Sequence, residues 1–133
     1  MRKRNPVNET QLPTAISGKL ICGQRAGAPA DANNRWQEEH VVAGGQLFDY
    51  KLGPGHPVDP RKLVGTWSIT GNGANTRVEY RYGSGSTTSG PYPHSVHDAG
   101  GGTYEFCTGP GGTLVARAVI QAIGGACSAY PAP

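Results

Sequence analysis

An all-β fold, an antiparallel meander of about eight strands closing into a small barrel, is the fold class this sequence predicts. Three observations predict it. Short runs rich in β-branched and aromatic residues recur from residue 15 onward, most of them alternate apolar with polar side chains, and Gly, Pro, Asn or Asp bounds each one. The 21 Gly and 11 Pro of the 133-residue chain punctuate it throughout and do not pool in one tail. A β-sandwich is the alternative closure, because a meander with one apolar face can also fold over on itself.

Taken in order, residues 1–14 (MRKRNPVNETQLPT) carry neither helical nor alternating periodicity and read as an extended N-terminal arm. Residues 15–133 read as a single β domain, since a chain of this length builds one core. The first strand is AISGKLIC (15–22), and RAGAPADANN after it is a loop by composition. RWQEEHVV (35–42), the tight AGG and QLFDYKL (46–52) read as a hairpin. GPGHPVDPRK, with its prolines, suits neither a helix nor a central strand. LVGTWSIT (63–70), GNGAN and TRVEYRY (76–82) give the next pair. A Gly/Ser/Thr loop leads to YPHSVHD (92–98), and AGGG leads to TYEFC (103–107). In the last run, TLVARAVIQA (113–122), Leu114, Ala116, Ala118 and Ile120 alternate, and the β-branched residues favour a strand over a helix.

Successive side chains of a strand point to opposite sides of the sheet. Thr76, Val78, Tyr80 and Tyr82 therefore share one face, and Arg77, Glu79 and Arg81 share a face expected to be wet. By the same rule Phe48, Tyr50 and Leu52 oppose Asp49 and Lys51, and Leu63, Trp67 and Ile69 oppose Thr66, Ser68 and Thr70. Tyr104 and Phe106 oppose Thr103 and Glu105. The expected ligand-binding interior is lined by Trp36, Phe48, Tyr50, Trp67 and Tyr80.

Gly65, Thr66 and Trp67 on one of these runs resemble the Gly-x-Trp of lipocalins and avidins, the calycin-type up-and-down barrels. In that family the Trp packs at the closed end of the barrel, so the resemblance implies a barrel with a structural Trp67. It covers a single strand. The family's Trp lies on the first strand, whereas three strand-like runs precede it here, and no avidin-like run of biotin-contacting residues matches. No ligand residues are carried over from it.

Charge excludes some functions. The net charge is +3, and Lys and Arg are scattered from Arg25 to Arg117 without forming a stripe, so no nucleic-acid partner is expected; the MRKR cluster reads as a solvated arm. No apolar run approaches the roughly 18 residues of a membrane span. The apolar core of a signal peptide is also missing, so either the protein is cytosolic or a leader has been removed and Met1 is not the natural start. The cysteines favour the second option. Cys107 ends one strand-like run and Cys127 follows the next, so a Cys107–Cys127 disulfide is expected and Cys22 is left over, as a buried residue or as an alternative partner of either. A periplasmic, cell-envelope or extracellular location follows.

Few residues offer chemistry. Three cysteines without a Cys-x-x-Cys spacing do not make a zinc site. His94 and His97 fall on opposite faces of a strand, and nothing brings His56 to either, so no metal or organic cofactor is expected. The sequence holds no phosphate-binding loop and no Gly-x-Ser-x-Gly elbow. Trp36, Glu38 and His40 share a face, with Asp49 across the hairpin, and a His beside a carboxylate is a general acid–base pair. The reading adopted is a solvated polar face around a packed Trp36, dispensable for folding. Asn8 in NET meets the glycosylation pattern.

The expected function is a non-catalytic secreted or envelope-associated binding module for a small apolar or aromatic ligand. The alternative is a structural or interaction protein, an envelope lipoprotein domain or self-assembling surface protein, whose partner is another protein. A hydrolase-like enzyme using His40 with Glu38 or Asp49 stands third. Loops at 23–34, 53–62 and 83–91 are the expected recognition surface.

Overall fold

In the computed structural model, strand pairing runs from neighbour to neighbour until it returns to its start. The structure describes residues 5–7, 10–30, 34–42, 45–50, 62–83, 86, 88–108, 112–122, 127 and 130–131. The elements are β1 (Asn5–Pro6), α1 (Gln11–Ile16), β2 (Lys19–Arg25), β3 (Arg35–His40), β4 (Gln46–Tyr50), β5 (Lys62–Thr70), β6 (Arg77–Tyr82), β7 (Ser89–Gly100), β8 (Thr103–Cys107) and β9 (Leu114–Ala122). From β2 to β9 each strand pairs antiparallel with the next, and β9 pairs with β2, which closes an eight-stranded meander into a barrel. Closure leaves no free edge among the eight, so the sandwich alternative is not adopted. The two-residue β1 adds to the side of β7, with Pro6 opposite His97.

The interior follows the alternation on most strands. Ile21, Val78, Tyr80, Val96, Phe106 and Ala118, from five strands, meet in one buried cluster. The faces read for β6 and β8 are the faces found, with one difference: Glu105, on the outer side of β8, is only 2% exposed. Arg117, directly opposite on β9, donates Nε–H to its Oε2 at 3.1 Å. Its outer position is thus covered and paired, not wet.

β4 reverses the expected phase. Leu47 is fully buried in the core, so Phe48 next to it lies on the outer side, opposite Glu39 and Leu63. The alternation of Phe48, Tyr50 and Leu52 with Asp49 and Lys51 puts Phe48 inside, but either phase of LFDY offers a hydrophobe to the core. A bulge fixes the phase. Leu47 pairs with Gly65 while Phe48 pairs with Leu63, so Val64 is an extra residue on β5. Val64 packs against the core and Leu63 is left 52% exposed, although it shares parity with Trp67 and Ile69.

Gly65 is where β6 passes closest. A Cβ at this position would collide with the Arg81 carbonyl, which explains the glycine two residues before Trp67. Trp67 packs against the core cluster and donates its indole N–H to the Val41 carbonyl at 3.1 Å.

The N-terminal segment departs from the expected arm and first strand. Gln11–Ile16 is helical, and β2 begins only at Lys19. A six-residue helix is too short to persist alone. It forms because Leu12 and Ile16, one turn apart, are both fully buried in the barrel core. Pro13 is tolerated in the first turn, where its missing N–H costs no helical bond. Gly18 then takes φ +67° and donates its N–H to the His40 carbonyl at 2.7 Å, which starts β2 alongside β3.

The disulfide joins Cys22 to Cys127, and Cys107 is a buried thiol outside the bridge. The expected Cys107–Cys127 pairing fails for a geometric reason. In an antiparallel hairpin the residue before the turn lies at the opposite end from whatever follows the second strand. Nine residues of β9 carry the chain roughly 30 Å away from Cys107, at about 3.3 Å each. Cys22 is reached instead because β2 is the other neighbour of β9 and Cys22 faces outward between inward Ile21 and Gly23. The Cys127 N–H donates to Gln37 Oε1 at 3.1 Å, and the Arg35 guanidinium lies 4.8 Å from the centre of the Tyr130 ring. Cys127 and Tyr130 therefore lie over the outer side of β2 and β3. Burial pushes the Cys107 thiol pKa up, the Glu105 carboxylate adds to this, and Arg117 opposes it.

Trp67→Ala is expected to lower the unfolding free energy by about 3 kcal/mol, read from denaturant midpoints at constant m-value. A non-reducing digest should yield a peptide linking Cys22 to Cys127, with Cys107 alkylated only after unfolding. Cys127→Ala should cost on the order of 4 kcal/mol, because the bridge spans a separation of 105 residues.

Candidate ligand-binding site

The barrel interior is divided between a filled and an open part. Leu12 and Ile16 of α1 pack with Leu47, Val78 and Val96. Beyond them, toward the end where β2 and β6 finish and β3 and β9 begin, a cavity of about 270 Å³ remains. Trp36, Tyr80, Tyr82 and Phe106 wall it, Ile21 and Ala118 contribute aliphatic surface, and Glu38, His94 and Arg25 supply its polar groups. β2 ends and β3 begins at this rim, and β6 ends and β7 begins there too. β4 ends and β5 begins there as well, with 51–61 between them outside the described residues.

Local sequence sets each wall. Trp36 and Glu38 are two apart on β3 and so face the same way. Trp36 stands opposite Gly23 of β2, and a Cβ on Gly23 would occupy the space of the indole ring. Tyr80 and Tyr82 repeat the two-residue spacing on β6, and their rings stack at 6.3 Å with an interplanar angle of 23°. His94 of β7 lies 5.9 Å from the Tyr80 ring.

Glu38 is 7% exposed, and the Tyr82 hydroxyl donates to its Oε2 at 3.3 Å. Tyr80 is held as a neutral phenol: burial raises its pKa well above the ordinary value, and the charges of Glu38 and Tyr82 add to that. Burial lowers the His94 pKa, against the opposing pull of the Tyr92 backbone, so the ring is uncharged at neutral pH. Arg25, at the end of β2, is an exposed cation at the rim among the described residues.

His40 lies deeper and outside the cavity wall. It was expected on a wet, dispensable face, but it is completely buried. Its Nε2 and the Tyr80 hydroxyl share a 2.8 Å hydrogen bond, and its ring meets Trp67 and Tyr80 edge-on at 5.3 and 5.4 Å. Nδ1 has no partner of good hydrogen-bond geometry among the described residues. Burial drops the pKa to about 3, offset only in part by the Glu38 backbone. A ring this weakly basic and this enclosed is a poor general base at neutral pH. Asp49 pairs with Glu38 through the backbone, and its side chain lies outside the described residues.

Of the five expected ligand residues, the cavity brings together Trp36 and Tyr80. Trp67 is on the His40 side of the core, Phe48 is on the outer side, and the Tyr50 side chain lies outside the described residues. Tyr82, Phe106, His94 and Arg25 were missed as ligand residues. The alternation already placed Tyr82 with Tyr80 and Phe106 with Tyr104, so carrying it to the strand ends would have found two of them. His97 lies on the opposite side of β7 and shares a 3.0 Å hydrogen bond with Ser95 Oγ. His56 and Asn8 lie outside the described residues. No group of three or more His, Cys, Asp or Glu among the described residues is placed to hold a metal, and no described helix is long and apolar enough to cross a membrane.

A broader depression of about 720 Å³ lies beside α1, edged by Thr10, Gln11, Thr14, Lys19 and Asp98, with Tyr104 as the one aromatic among its described residues. Comparisons with family models, curated proteins and solved structures find no match to the chain. The site is therefore read from its own residues.

The buried imidazole gives a pH signature. Between pH 6.5 and about 3 the unfolded chain binds a proton at His40 that the folded chain refuses. Stability should thus fall as pH drops below 6.5, by up to about 1.4 kcal/mol per pH unit from this group. His40→Gln, which keeps a hydrogen-bonding group toward Tyr80, should show a shallower loss between pH 7 and pH 5 in denaturant titrations. Equal slopes would assign the acid sensitivity elsewhere.

Proposed function

We propose that the protein is a non-catalytic binding module, a calycin-like barrel that holds a small, largely aromatic or apolar ligand in the cavity at its looped end. The single observation that carries this reading is the cavity itself. It is concave, mostly apolar, walled by four aromatic rings and furnished with a few convergent polar groups, which is the usual make-up of a small-molecule site. Its volume of about 270 Å³ falls just below the roughly 300–1,000 Å³ of drug-sized sites, so the ligand is small. The depression beside α1 offers a ligand far less aromatic surface.

Two further observations support the reading. His40, the residue on which a hydrolase would depend, is enclosed and held neutral. The Cys22–Cys127 bridge is compatible with an oxidising compartment, and we place the protein in the periplasm, cell envelope or extracellular space.

Native mass spectrometry of freshly purified protein, joined to Trp fluorescence titration with small aromatic compounds, provides the test. A retained or saturably bound molecule is expected. Gly23→Ala should weaken binding, because the new methyl pushes the Trp36 indole into the cavity, while Phe48→Ala on the outer side should not. Binding that survives Gly23→Ala and Trp36→Ala unchanged would move the site away from this cavity.

A further inference from the structure

The cavity's charges are not evenly distributed along its depth. Glu38 pairs across the sheet with Ile21, whereas Arg25 comes four residues later on β2, about 13 Å of strand nearer the rim. The deep end thus carries a carboxylate and the exposed end a guanidinium. Around the carboxylate stand Trp36, Tyr80 and Tyr82, whose ring faces carry negative potential. His94 brings no positive charge there at neutral pH, because burial lowers its pKa. An anion pushed to this depth would meet a carboxylate and electron-rich rings. A cation would meet charge attraction from Glu38 and quadrupole attraction from the rings, both strengthened by exclusion of water.

We propose that the ligand is a small organic amine in its protonated form, inserted with its ammonium against Glu38 and the faces of Trp36, Tyr80 and Tyr82. Its apolar body then lies against Phe106, Ile21 and Ala118. The Tyr82 hydroxyl, which donates to one carboxylate oxygen, orients Glu38 for this contact. Arg25 at the rim is a selectivity element that repels a second cation and tolerates a polar tail pointing outward. This inference rests on the binding-module reading and specifies the chemistry of the same cavity.

Three probes of nearly one shape test it by calorimetry at pH 7: 2-phenylethylamine, neutral 2-phenylethanol and anionic 3-phenylpropanoate. The amine is expected to bind at least about tenfold tighter than the alcohol, with the carboxylate weakest. In Glu38→Gln, which retains the size of the side chain and an acceptor for Tyr82, the amine's advantage should collapse to within about twofold. Arg25→Gln, at an exposed position, removes the repelling guanidinium and should raise amine affinity, a readout that stands should the Glu38 variant fold poorly; unchanged or lower affinity would overturn the inference. Equal affinity for amine and alcohol overturns the cation inference and leaves the binding-module reading standing. Preference for 3-phenylpropanoate overturns it in favour of recognition by Arg25. Failure of all three to bind overturns both.

Discussion

The seam between β2 and β9 is the constraint on which the rest of the structure depends. It runs from Lys19 opposite Ala122 to Arg25 opposite Ala116 and joins the first long strand of the meander to the last. Without it the remaining pairings describe an open sheet with two free edges and one apolar face, which is a template for association. With it, the inward residues of eight strands surround a common space, and α1 gains a pocket for Leu12 and Ile16. The same seam brings Cys22 to the side of the barrel on which Cys127 lies, so the covalent bond is a consequence of strand order.

The interior that results is unusually polar for so small a core. Glu38 and His40 of β3 point inward with Trp36, and each is met by a phenol from β6, Tyr82 for the carboxylate and Tyr80 for the imidazole. Two strands thus supply alternating donors and acceptors across the barrel. A buried polar group is tolerated only when such partners exist. The arrangement ties the cavity to the filled core, because Tyr80 is at once a wall of the cavity and the hydrogen-bond partner of His40. A ligand that displaces the Tyr80 ring would be felt at Trp67 through His40.

The sequence made the strands legible because each carries its own two-residue rhythm and its own glycine or proline boundaries. TRVEYRY could be read to the level of single side chains, since its apolar face is aromatic or branched and its opposite face holds three charges. RWQEEH could not. Two of its three inward residues, Glu38 and His40, are polar, and partners distant in sequence, Tyr82 and Tyr80, meet them in the interior. QLFDY failed for a different reason: one bulge at Val64 sets which of two adjacent hydrophobes turns inward, and a bulge is a property of the pair of strands. α1 was hidden because six residues with a proline have too little length to show a helical period, and the reason for the helix lies in the barrel end that Leu12 and Ile16 fill. The cysteine pairing required knowing that β9 has two neighbours. Of the site, the aromatic strands were visible beforehand, but which rings converge depended on these same long-range facts.

The Cys22–Cys127 bridge encloses nearly the whole circuit of strands, from within β2 to a point beyond β9. A single backbone cut at any loop between them therefore leaves both pieces in one covalent molecule, and every strand pair remains within bonding reach of its neighbour. The connections at the cavity rim all fall inside that span. A protease that nicks one of them produces a two-chain species that still migrates as one until it is reduced. The barrel is in this sense a latched ring, and a break in one link of its perimeter is a local event.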